Sequence, residues 1–273
     1  MTQQLDELTT RVLAPNPSPL TLEGTNTYLL GAPSSGEVVV VDPGPDLLAH
    51  RRAIDAAVAA RDAQVVAVVV THHHADHAQA APWADDWGAP LHAFSPALVA
   101  GGAAEPLRDG DVLRRAGVTL EAVHTPGHCA DHLCLRVAET GVVLTGDHVL
   151  GRGTTIVDWP DGDMADYLDS LRRLAALAPI ALHPGHGPVV DDPARVVAEY
   201  LAHREERERQ VLAALAAGDS DPREIVARVY ADVDPALHPA AERSVRAHLA
   251  KLIAEGRADP ALLQADTGRR QEG

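Results

Sequence analysis

The chain has 273 residues, 46% apolar and 23% charged, a globular mix that excludes general disorder and is long enough for a main domain with a smaller appendix. Its net charge of −16 opposes a strong grip on polyanions, and the excess sits in residues 1–200, where 12 arginines face 26 acids. Residues 201–273 are near balance, with 11 bases against 13 acids. Aromatics are only 3%, so the core has to be aliphatic. No apolar stretch approaches the roughly 18 residues that span a bilayer, and no membrane partner is expected.

The opening MTQQLDELTT carries acids and no apolar segment, so a secretory leader is not expected and the cytoplasm is the expected compartment. TNTYLLG, EVVVVD and QVVAVVV, bounded by Gly and Pro, read as strands over 25–31, 37–42 and 64–70, with helical spacing over 46–61 between the last two. Further strands are expected at PLHAF, VTLEAVH, HLCLRV and GVVLTGD, a helix over 164–177, and a last strand at IALHPGHG. Strands alternating with helices predict an α/β layered fold. From Pro193 the pattern is helical, through a long charged helix to Gly218 and two shorter ones over 223–233 and 240–256. This places a boundary near residue 218, with a main domain over 1–217 and a small winged-helix-like unit over 218–273.

Directly after the third strand, THHHADH crowds four histidines and an aspartate into Thr71–His77. His72 and His74, two apart, can project together from an extended loop, and Asp76 and His77 follow as the chain turns into a helix. Imidazole and carboxylate both suit zinc, and catalytic sites leave positions open for water, so the crowding fits parts of two metal shells. His73 is expected to point away. Further ligand types stand at the ends of later strands, His128 in HTPGH, Asp147 in TGDH and His186 in HPGHG, each beside a glycine that lets backbone pass close to a metal. Asp42, ending a strand at VDPG, is expected to fix the ligand loop. His132 and His148 are read as supports, His124 and His183 as structural, and Asn26, Tyr28 and residues 153–155 as facing the cleft. Cys129 and Cys134, five apart, read as reduced thiols.

HxHxDH, then GH, then the TGD aspartate, then GHG resembles the metallo-β-lactamase superfamily. The resemblance implies an αββα sandwich with one metal on His72, His74 and His128, a second on Asp76, His77 and His186, and Asp147 bridging them. The commonest class B β-lactamases carry a cysteine where this chain has Asp147, which argues against antibiotic hydrolysis. GTNTYLLG, GRGTTIVD, HPGHGPV, YLAHREERERQVL and the segment LHPAAERSVRAHLAKLIAEGRA are similar to the β-lactamase-like protein 2 subgroup, which implies a C-terminal winged-helix-like domain. Members of that subgroup include endoribonucleases on single-stranded RNA and thioesterases.

The expected activity is therefore hydrolysis by two zinc ions, with iron or manganese as alternatives. A hydroxide held between the metals would attack the substrate, with Asp76 and Asp147 as the catalytic carboxylates. A small-molecule ester or thioester fits the charge better than single-stranded RNA, the alternative partner. For RNA, Arg204, Arg207, Arg243, Arg246 and Lys251 would supply a modest basic patch; a more remote alternative is a metal-sensing DNA-binding protein, for which Arg243, Arg246 and Lys251 would face the duplex. A homodimer is compatible with the sequence.

Overall fold

The computed structural model describes residues 1–100 and 104–264, so the last nine residues of the expected C-terminal domain lie outside the described residues. The chain divides into two compact units. The first comprises residues 1–125, 131–153 and 177–193; the second comprises residues 126–130, 154–176 and those from 194 onward.

Two sheets build the first unit. Strands β1 (Thr2–Gln4), β2 (Thr9–Leu13), β3 (Asn26–Leu30), β4 (Glu37–Val41), β5 (Gln64–Val69), β6 (Leu91–Ala93) and β7 (Glu105–Pro106) lie in that order. The second sheet runs β12 (Leu182–Pro184), β11 (Val143–Gly146), β10 (Leu133–Val137), β9 (Val118–His124), β8 (Val112–Arg115). Valines, with Ala67, occupy both faces of β4 and β5, which is why these strands read as unbroken apolar runs. One face packs Val39, Val41, Ala67 and Val69 against Leu120, Ala122, Leu133 and Leu135 of the second sheet. The other packs Val38, Val40, Val65 and Val68 against helix α1 (Leu48–Ala59), whose His50, Ile54, Ala57 and Val58 form one buried stripe. The result is the mixed α/β sandwich expected from the strand pattern.

Chain direction places the site. Strands β4 and β5 are parallel, with Val41 beside Val69, so Asp42 and Thr71 leave the first sheet at one edge. Strands β11 and β12 are also parallel, with Gly146 beside Pro184, and release Asp147 and His186 together. A bridge between Thr25 and His186 and the bond from Asn26 N–H to the Gly185 carbonyl (2.7 Å) tie the start of β3 to that second edge. Two short helices, α2 (Ala75–Ala78) and α3 (Trp83–Trp87), follow β5.

The second unit is helical among its described residues: α4 (Met164–Ala176), α5 (Pro193–Ala216), α6 (Pro222–Val229), α7 (His238–Ala254) and α8 (Ala261–Gln264). Asp221 starts α6 with a capping box completed by Glu224. Val211 and Ala214 of α5, Ile225 and Val226 of α6, and Val245, Leu249 and Leu252 of α7 share one apolar core.

Several buried histidines are held neutral by their surroundings. Burial lowers His50 to about 4 and His248, with the cations Arg204 and Lys251 adding to the effect, to about 3. The unfolded chain protonates these groups below about 6.5 while the fold does not, so their contribution to stability is full above that pH and is lost as pH falls towards 4. Thr27 Oγ1 gives its proton to the Asp42 carbonyl (2.6 Å), so at 2.8 Å it accepts from His50 Nε2. His50→Gln retains a donor and cannot titrate. The melting temperature of the native chain is expected to fall more steeply between pH 7 and pH 5 than that of His50→Gln; parallel profiles would contradict this assignment.

Candidate metal centre

The carboxylate of Asp42, buried at the end of β4, organises the THHHADH loop. It accepts from Thr71 N–H (2.7 Å) and Thr71 Oγ1 (2.8 Å), and from His77 Nδ1 (2.9 Å). Because the threonine proton is committed to Asp42, Thr71 Oγ1 can only accept from His72 Nδ1 at 3.1 Å. One carboxylate thus sets the ring orientation of two histidines. Asp42 itself has φ of +50°, a left-handed conformation that aspartate tolerates better than most residues. The role expected for Asp42 from VDPG is the one its hydrogen bonds support.

With Nδ1 bonded to oxygen, His77 presents Nε2 to three other donors. It lies 3.2 Å from His186 Nε2, 3.3 Å from Asp147 Oδ1 and 3.8 Å from Asp76 Oδ2. His186 Nε2 is 3.4 Å from Asp147 Oδ1 and 3.1 Å from Asp76 Oδ2, and its Nδ1 donates to the Gly24 carbonyl at 3.2 Å. Four tetrahedral bonds of about 2.0–2.1 Å place their donors roughly 3.3 Å apart. The five distances run from 3.1 to 3.8 Å, so Asp76, His77 and His186 fit a single cation of that size, with Asp147 at the same spacing from both histidines. Close approach requires Gly185, where a Cβ would fall 2.6 Å from His77 Cε1 and 2.8 Å from Asp147 Oδ1.

Charge is balanced within the cluster. Burial works against protonating His77 and His186, but the Asp147 and Asp76 carboxylates outweigh it, raising His77 well above its usual value and His186 to about 9. Burial likewise opposes ionising Asp147 and Asp76, yet the two histidines hold Asp147 well below the usual carboxylate range and Asp76 at about 2. Two imidazolium protons cannot both sit between nitrogens 3.2 Å apart. A cation replacing them satisfies all four groups at once, with release of protons.

The remaining candidates fall as follows. His72 Nε2 lies 3.1 Å from His74 Nδ1, and His72, His77 and Asp147 offer donor atoms within 4.8 Å of one another. The structure therefore brings His72, His74, Asp76, His77, Asp147 and His186 to one edge of the first unit. His128 belongs to the second unit, where its Nδ1 donates to the Ile156 carbonyl at 2.6 Å. His73 turns aside to Asp131 (2.8 Å). His132 acts as a support: its Nε2 accepts the Asp147 backbone N–H (3.1 Å) and its Nδ1 meets Thr125 Oγ1 (2.9 Å). His124 stacks on Phe94 and His183 on Tyr28.

Two expectations are corrected. Asn26 and Tyr28 do not face a cleft; both are buried, and they hold the His186 loop from behind. Asn26 Nδ2 donates to the carbonyls of Pro184 and Gly187 (2.9 Å each), and the Tyr28 hydroxyl donates to Pro184 (2.7 Å). A polar residue opening an otherwise apolar strand was the available signal, but it does not distinguish a ligand contact from a loop brace. Asp131, the partner of His73, carried no signal beyond its place in the CADH segment.

Comparison with known proteins agrees with this geometry. Residues 20–186 match the family described as Metallo-beta-lactamase superfamily, and residues 222–261 match the Beta-lactamase associated winged helix domain. A beta-lactamase-like protein 2 homolog of Caenorhabditis elegans is 33% identical, covering 93% of this chain and 87% of the relative. An atrochrysone carboxyl ACP thioesterase of Aspergillus chevalieri is 36% identical, over 78% of this chain and 67% of the relative. The crystal structure of a metallo-beta-lactamase family protein from Thermus thermophilus superposes with a TM-score of 0.81 at 26% identity, covering 93% of this chain and 95% of the other.

Asp42→Ala leaves three buried donors without their acceptor, at roughly 1–3 kcal/mol each. It is expected to lower the unfolding free energy by several kcal/mol, and to weaken binding of an added divalent metal about 10–100-fold in competition with a chelator. A variant with native metal affinity would contradict the organising role given to Asp42.

Proposed function

The chain belongs to the metallo-β-lactamase superfamily as a hydrolase, and on that premise we propose that it is a dinuclear zinc enzyme acting on a small-molecule ester or thioester in the cytoplasm. The observation that carries this is the convergence of Asp76, His77, Asp147 and His186 at tetrahedral donor spacing. In this reading Asp76, His77 and His186 hold one zinc, His72, His74 and His128 hold the other, and Asp147 is shared. Within the second unit, the winged-helix module is taken to begin near residue 218, after the long helix α5.

When bound, zinc lowers the pKa of a coordinated water to near 7 and polarises a substrate carbonyl. The chain supplies position and charge. Asp147 is fixed at its backbone by His132 and at its carboxylate by the neighbouring histidines, so it can orient an attacking water without moving. The Asp76 side chain keeps 30% of its surface exposed, which places a carboxylate of low pKa where substrate and water arrive. Asp42, Thr71 and the Gly24 carbonyl hold imidazole rings in the orientation that directs Nε2 inward.

The choice of a thioester over RNA is supported by the thioesterase named among the relatives and by the state of the basic residues. Arg204 is buried and donates to the Thr155 carbonyl. Arg246 pairs with Glu242, Lys251 with Glu208 and Glu255, and Arg243 with Asp158. Arg207 donates to Gln210 and to the Val229 carbonyl. Cations already paired with acids, or committed to carbonyl and amide oxygens, offer fewer of the phosphate contacts that RNA or DNA binding needs.

Zinc-loaded protein is expected to hydrolyse acyl thioesters while leaving labelled single-stranded RNA intact. Asp147→Ala should lower thioester kcat by about a hundredfold or more without unfolding the chain. RNA cleavage lost in that variant, with no thioester turnover, would overturn the substrate assignment.

A further inference from the structure

His128 lies in a turn that folds with the helices of the second unit. Gly127 packs against α4 so closely that a Cβ there would fall 2.3 Å from Tyr167 Cα. Ser170 Oγ donates to the Pro126 carbonyl (2.8 Å), and the Asp158 N–H donates to the His128 carbonyl (3.0 Å). The contact that sets the imidazole is the bond from Nδ1 to the Ile156 carbonyl, and Ile156 is held from both sides. On one side the Thr155 carbonyl accepts from Arg204 Nη2 of α5 at 2.5 Å. On the other the Val157 N–H donates to Ser244 Oγ of α7 at 3.1 Å, and Asp158 pairs with Arg243 of α7 at 2.8 Å.

Arg204 is only 2% exposed, with its guanidinium 5.1 Å from the centre of the Tyr167 ring. Burying a guanidinium costs free energy, and here its charge-assisted hydrogen bond goes to one loop carbonyl. Val157 is fully buried and the Ser244 hydroxyl meets its N–H inside the unit. Three side chains from two separate helices thus converge on the residues flanking the carbonyl that fixes His128.

We propose that Ser244, Arg204 and Arg243 are positioning residues for the His128 imidazole, so that the C-terminal helices hold this candidate metal ligand in a fixed orientation. Residues 222–261, matched to a winged-helix module, then contribute Ser244 and Arg243 to catalysis at a distance, through loop 155–158. This rests on the reading of His128 as a zinc ligand. Partners that orient a metal-binding histidine typically change affinity by about 10–100-fold when removed.

The test compares native protein with Ser244→Ala, Ser244→Thr, Arg243→Ala and His128→Ala. Zinc affinity is read by chelator competition and ligand geometry by the visible spectrum of the cobalt-substituted protein. In Ser244→Ala and Arg243→Ala one of two metal equivalents should weaken about 10–100-fold with an altered cobalt spectrum, while the metal-free melting temperature barely moves. Ser244→Thr, which keeps the hydroxyl, should restore both. If Ser244→Ala does not fold, Arg243→Ala, whose side chain is 42% exposed, decides alone. Native affinity and spectrum in both alanine variants, with one equivalent lost in His128→Ala, would overturn the positioning role only. Two tight equivalents in His128→Ala would overturn the ligand reading beneath it.

Discussion

A single buried carboxylate, Asp42, has to satisfy three donors at once, and the geometry of the site follows from that requirement. Its oxygens fix Thr71 and His77 directly and His72 through the threonine hydroxyl. An unpaired charge at this depth would be strongly destabilising, so the loop between β5 and α2 has little freedom to adopt another path. The fold meets this demand because β4 and β5 are parallel neighbours that release Asp42 and Thr71 at the same edge. The second sheet repeats the device with β11 and β12, which deliver Asp147 and His186.

The cluster formed where these edges meet is poised by opposition. Two histidines lie 3.2 Å apart with a carboxylate oxygen of Asp76 and of Asp147 within 3.8 Å of each, and burial penalises the charge on every one. Protons can relieve this only in part, because two ring nitrogens face each other. A dication is the natural counter-charge, and the second ring nitrogens of His77 and His186 are already engaged by oxygen acceptors. A net charge of −16 favours the approach of a metal cation and opposes that of a polyanion.

Much of this was legible in the residues. The apolar runs of β3, β4 and β5 identified themselves, as did the helix over 48–59 and the long helix from Pro193, because their periodicity reports burial directly. The candidate ligands announced themselves as a histidine cluster in THHHADH and as three further residues, His128, Asp147 and His186, each beside a glycine. The first two strands, within MTQQLDELTT and TTRVL, were not legible: β1 is exposed throughout and lacks the apolar alternation that marks a half-buried strand. The roles of Asn26, Tyr28, Arg204 and Ser244 were hidden for a different reason. Each acts on the backbone of a segment far along the chain, and no local pattern encodes which carbonyl a buried donor will find.

The most direct measurement is metal content by elemental analysis of protein first stripped with chelator and then titrated with zinc, with thioester turnover followed at each addition. Two equivalents per chain are expected, with turnover rising to its limit only as the second is bound. Full turnover in the stripped protein, or a limit reached without stoichiometric metal, would contradict a centre organised by Asp42 for cations.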